Sequence, residues 1–138
     1  MKRKESIALL EQSVMLLLFA LAAALCLQVF LRASQAAEDT AALGRAVLEC
    51  QNAAESFKAA GGDLTLAAER RGGIAGEEAW VILYDEDWSQ ISGLQAQPVY
   101  TLSAEAVPAG DGLRKVHIAV SGAETIFALT VACQGASV

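Results

Sequence analysis

The 138-residue sequence has one histidine, three scattered cysteines and two prolines, and only 19% of its residues are charged. One histidine and three separated cysteines leave little material for a zinc site or a histidine-based triad. Lys and Arg total 10 against 16 Asp and Glu, a net charge of −6. That balance argues against a nucleic-acid binder, because phosphate neutralisation needs a basic face. Aromatics make up 6%. No nucleophile elbow, phosphate loop or paired-carboxylate motif is present, and the chain is not expected to be an enzyme. What is abundant is apolar residues, 54% of the chain, with a mean hydropathy of +0.39. That excess rules out disorder and is high for a small soluble domain.

The excess is concentrated near the N-terminus. The opening MKRKE is basic, and no charge occurs from Gln12 to Gln28. Val14–Leu31 (VMLLLFALAAALCLQVFL) is broken only by Gln28. As a helix it spans about 27 Å, close to one hydrocarbon thickness. Arg32 closes it and can snorkel to the headgroups. The cations precede the segment, which predicts a single-pass membrane protein with a cytoplasmic N-terminus and an extracytoplasmic C-terminal domain. Two processing alternatives fit less well. A cleaved secretory signal could use Ser34-Gln35-Ala36, but the apolar core is long for one. Lipoprotein processing at Cys26 would meet a bulky Leu25.

The helical pattern continues past Arg32. No proline precedes Pro98, and Gly44 is the only glycine before Gly61. Leu43, Val47, Cys50, Ala54 and Phe57 alternate spacings of four and three, which draws one apolar stripe. Glu38, Asp39, Arg45, Glu49, Asn52, Glu55 and Lys58 fall largely off it. Gly61-Gly62 supplies a stop. One helix over Ile7–Ala60 would be about 80 Å long. A short helix is expected over Leu64–Arg71, with Glu69-Arg70-Arg71 at its end. Strands are expected at Trp80–Tyr84, Val99–Val107, Arg114–Ser121 and Thr125–Cys133, joined by turns at Gly110-Asp111-Gly112 and Ser121–Glu124. Consecutive strands with short links make an antiparallel meander, whose apolar face the helix stripe would cover. The expected fold class is α+β. Its parts are a basic leader-like segment (1–6), a transmembrane helix (7–32), its extracytoplasmic continuation (33–62) and a sheet domain (63–138).

Several residues admit two readings. Glu11, at the membrane edge, is either an interfacial carboxylate reaching water or a charge relieved by a partner, since a carboxylate in hydrocarbon costs roughly 2.5–3.5 kcal/mol. Cys50 lies on the helix stripe and Cys133 on the apolar face of the last strand. Both periodicities aim sulfur at one interface, so a Cys50–Cys133 disulfide is expected, with two buried free thiols as the alternative. Cys26 reads as a packing residue. Asp85-Glu86-Asp87, between Tyr84 and Trp88, reads as a solvated acidic turn rather than a calcium loop, which would need more ligands. His117 should point outward.

This organisation resembles that of type IV pilins and type II secretion pseudopilins. Members carry a small residue, then Phe-Thr-Leu-Ile-Glu at the head of the membrane helix. Here the string is Ser6-Ile7-Ala8-Leu9-Leu10-Glu11. Leu9, Leu10 and Glu11 match in place, while Ser6 replaces the usual Gly and Ile7 the usual Phe. The resemblance implies cleavage between Ser6 and Ile7 by a prepilin peptidase. It also implies pairing of Glu11 with the N-terminal amine of a neighbouring subunit, and polymerisation with other pilin-like subunits through the N-terminal helix. It implies no cofactor. The departures at Ser6 and Ile7 suggest a minor subunit. The other reading is an anchored extracytoplasmic binding module that does not polymerise.

Overall fold

A computed structural model describes residues 2–92 and 97–135. Helix α1 (Lys2–Ala59) is followed by α2 (Leu64–Arg71) and five strands: β1 (Ile74–Ala75), β2 (Ala79–Tyr84), β3 (Tyr100–Val107), β4 (Leu113–Ser121) and β5 (Thr125–Gln134). The strands form one antiparallel sheet in the order β1-β2-β3-β4-β5. The expected α+β architecture is therefore present. The expected strands fall within a residue or two of the observed ones. β1, only two residues long, is an addition that the sequence pattern did not signal. The chain divides into two compact units, Met1–Thr40 and Ala41–Val138.

In the first unit the described residues are all exposed, including Leu16, Leu17, Leu18 and Phe19. α1 is long and apolar enough to cross a membrane once; its best window has a mean hydropathy of 2.7 with nothing buried.

In the second unit, α1 from Ala41 onward packs on one face of the sheet. Its buried residues are Ala46, Glu49, Cys50, Ala53, Ala54 and Phe57. The sheet answers with Trp80, Ile82, Leu102, Ala104, Val116, Ile118 and Val120, each at most 1% exposed. Alanines on the helix thus face bulky residues on the strands, a pairing of small with large side chains across the two layers. The alternation expected for β4 holds, with Val116, Ile118 and Val120 inward and His117 outward.

The helix stop is built from both glycines. Gly62 N–H donates to Phe57 O (3.0 Å) and Gly61 N–H to Lys58 O (3.0 Å), with Gly61 at φ 64°. This is a Schellman arrangement, which needs the left-handed region that glycine enters without steric cost. Asp63 then caps α2, its Oδ1 accepting from Thr65 N–H (2.9 Å) and Leu66 N–H (3.2 Å).

Two expectations are corrected here. Leu43, placed on the buried stripe, is 42% exposed, and burial begins at Ala46. Glu49, placed off the stripe, is buried. The stripe is rotated by part of a turn because the facing surface includes α2 as well as the sheet.

Candidate functional site

Ser6, Ile7 and Glu11 all lie within the first turns of α1, on continuous exposed helix. The Ser6–Ile7 bond is therefore held in helical backbone, and Ile7 is 64% exposed. Ser13 returns its hydroxyl to Leu9 O (2.9 Å), which removes one polar group from the apolar surface that follows. Val14–Leu31 then presents Leu, Val, Phe and Met in every direction. Such a helix finds its stable surroundings in lipid or among like helices.

The cysteine expectation is overturned. Cys50 and Cys133 are free thiols, and no disulfide joins them. The faces were read correctly: Cys50 is fully buried on α1, and Cys133 is half-buried on the inward side of β5. Their positions along those faces do not match. Cys133 lies opposite Arg114, and its sulfur approaches Gly62, beyond the end of α1. Cys50 sits nine residues before Ala59 on α1, about 13 Å along the axis. A disulfide needs Cα atoms within roughly 7 Å. Burial, with the nearby Glu49 charge, pushes the Cys50 thiol up to about 11, so it is a protonated packing residue at neutral pH. Cys26 is exposed on the apolar half of α1.

A polar cluster lies where α1, α2 and β2 meet, and sequence reasoning missed it. Glu49 Oε2 accepts hydrogen bonds from the Arg71 guanidinium and from Tyr84 Oη (2.8 Å). Tyr84 is 1% exposed, and its hydroxyl is held above the ordinary phenolic range, mainly by desolvation and then by the bond to Glu49. Each partner sits on a different element, so the cluster ties three elements with one carboxylate. Among the described residues, Arg71 Nε is buried without a hydrogen-bond partner. The available signal was the position of Glu49 beside Cys50, one step round the helix from the stripe. A lone carboxylate there reads as solvent-facing until an arginine is known to reach it.

Directly after Tyr84, at the C-terminal end of β2, Asp85 organises the acidic turn. Its Oδ1 accepts from Asp87 N–H (3.0 Å) and Ser89 N–H (2.8 Å). The turn throws Trp88 into the left-handed region (φ 62°), and its ring stacks on Tyr100 at 4.1 Å between centroids. Asp85 thus spends its carboxylate on backbone donors, as a turn residue does. Among the described residues, no group of three or more His, Cys, Asp or Glu could hold a metal ion. His117 is exposed, with Nδ1 3.1 Å from Thr130 Oγ1. An apolar recess of about 410 Å³ opens beside Ile74, Val81, Leu83 and Ile91.

No family model, curated protein or solved structure matches this chain.

Proposed function

We propose that this chain is a membrane-anchored, pilin-like structural subunit, a minor pilin or pseudopilin of a type IV pilus or type II secretion-like filament. One observation supports this reading most. A single helix carries an apolar stretch with no folded partner and, further along, a stripe that packs on an antiparallel meander. A protein that only needed an anchor could attach it by any linker. Here the anchor and the domain's core helix are one element, which suits a subunit that transfers its helix from lipid to a bundle of like helices. That transfer loses little apolar burial.

In this reading the N-terminus is cytoplasmic, the sheet domain is extracytoplasmic, and partners are other pilin-like subunits. A prepilin peptidase would cleave between Ser6 and Ile7, and the new amine of Ile7 would pair with Glu11 of a neighbour. Such a pair is poorly screened in a low-dielectric bundle. The test is Glu11→Ala, read as the ratio of the protein in sheared filaments to that in membranes. Membrane retention should persist while filament entry is lost. An unchanged ratio would leave Glu11 an interfacial charge and favour an anchored binding module that does not polymerise.

A further inference from the structure

The most apolar face of α1 beyond residue 40 is not the face it buries. Leu43, Val47, Cys50, Ala54 and Phe57 make the larger apolar stripe, yet in each of its first two turns the smaller neighbour is turned further in. Ala42 is half-buried where Leu43 is 42% exposed, and Ala46 is 0% exposed where Val47 is half-buried. Glu49 is buried on the same side as those alanines. At about 100° per residue, centring the larger stripe on the sheet would need α1 to turn by about 50° about its axis.

That turn would bring apolar surface to apolar surface. Glu49 marks the β2 flank of α1, because Tyr84 Oη donates to it. Val47 lies about 160° round the helix from Glu49, and so on the flank toward β5, at the other side of the sheet. There Phe127, Leu129 and Val131 are also only half-buried, whereas their β4 partners Val120, Ile118 and Val116 are 0% exposed. Both layers thus leave apolar surface partly open along one flank, which hydrophobic burial alone would close.

We propose that the Glu49–Arg71–Tyr84 cluster is a rotational latch. It holds α1 in one of two seats on the sheet, the other being the turned seat in which Leu43 and Val47 cover the β5 row. Glu49 Oε2 takes one donor from α2 and one from β2, both on the same flank. On a helix about 10–12 Å across, the turn moves side-chain tips by about 5 Å. Both donors would lose the carboxylate, and the buried Tyr84 hydroxyl would be left unpaired. A buried ionic cluster adds little net stability when complete but is costly to break, which suits it to selecting one arrangement over another. The alanine face of α1 offers little shape to lock into, so packing alone specifies the rotation loosely. Gly61 and Gly62, both at positive φ, form a joint that can follow a turn of the helix. The latch concerns residues 41–59 and the sheet domain, and it stands whether or not the chain polymerises.

The test measures maleimide labelling rates on the full chain in detergent with Cys26→Ser, Cys50→Ala and Cys133→Ser, each variant checked for folding by circular dichroism. Val47→Cys reports the β5 flank. Ser56→Cys reports the Glu49 flank; Ser56 is half-buried, and its hydroxyl bonds only within α1, to Asn52 O (2.9 Å). Removing the latch with Glu49→Ala, Arg71→Met and Tyr84→Phe should slow labelling at 47 and speed it at 56, each by about threefold or more. Glu49→Lys, which repels Arg71, should shift both rates the same way, and adding Arg71→Glu should restore them. This pair of variants decides the matter even where the triple replacement does not fold. Rates that rise together at both positions would show a loosened helix rather than a turned one, and would overturn the proposal. Rates that stay unchanged, or a swapped pair that labels like Glu49→Lys alone, would overturn it too.

Discussion

Residues 2–40 and 41–59 belong to the same α-helix, yet only the second part buries anything. The first part is far more apolar. Its Leu16, Leu17, Leu18 and Phe19 are 58–75% exposed, while the second part buries chiefly alanines and one phenylalanine. Hydrophobicity alone therefore does not say where a core is. An all-round apolar surface has no preferred side and suits lipid or a bundle. A narrow stripe of small residues has one side and suits a sheet. Glu49 sharpens the contrast: a carboxylate is tolerated in the buried stripe because Arg71 and Tyr84 meet it. No described residue plays that part for the apolar run before residue 40.

The largest effect should come from forcing the first region to behave like the second. Leu18→Arg with Ala22→Arg places two cations in the apolar run at about 2.5–3.5 kcal/mol each. The chain should leave the membrane fraction, and the urea midpoint of the sheet domain should not move. A shifted midpoint would show that the two regions are not energetically separate. The reverse experiment is Trp80→Ala. Trp80 is fully buried and donates from Nε1 to Gly72 O (2.9 Å). Its loss should destabilise the sheet domain by about 3–5 kcal/mol while membrane association is retained.

Most of the fold was legible because each element carries a strong local signal. The 3.6-residue period, the Gly61-Gly62 stop and the alternation of Val116, Ile118 and Val120 each declare one element. What was not legible depends on where elements meet. Periodicity gives the face on which Cys50 and Cys133 lie but not their height along it, and so the disulfide expectation failed. The burial of Glu49 depends on Arg71, 22 residues later, turning back toward α1. β1 exists only because Gly73, at φ 104°, brings the chain beside Val81, and two residues are too few to show a period. For Ser6, Ile7 and Glu11 the structure supplies helix and exposure, and their roles rest on the resemblance.

An effect of intermediate size concerns alkaline pH. The Cys50 thiol is raised from 9.0 to about 11 in the folded chain. The unfolded chain loses that proton first, so unfolding is favoured as pH rises. The stability contributed by the neutral thiol is complete below pH 9 and is lost as pH climbs towards 11. The loss is on the order of 2 kcal/mol. Tyr84 has the same sign at still higher pH, because its folded-state value is also raised. Urea midpoints measured from pH 8 to 11 should fall less steeply for Cys50→Ala than for wild type. Parallel slopes would mean that the thiol titrates alike in both states, and the buried stripe would then be wetter than the structure has it.

The smallest effect tests how the second region is held together. α2 has eight residues, too few to form a stable helix alone in water. It nevertheless positions Arg71 for Glu49 and buries Leu64, Ala67 and Ala68. Its start is fixed by Asp63, whose extended backbone (φ −92°, ψ 116°) frees the carboxylate to accept from two N–H groups of the first turn. Asp63→Ala removes that acceptor and should cost about 1 kcal/mol, read as a lower urea midpoint for the sheet domain. Asp63→Asn keeps an oxygen in the same place and should recover most of the loss. Neither change should alter membrane association, because residues 2–40 make no use of this cap. If alanine and asparagine behave alike, the Gly61-Gly62 stop and the burial of Leu64 set the start of α2 without the cap.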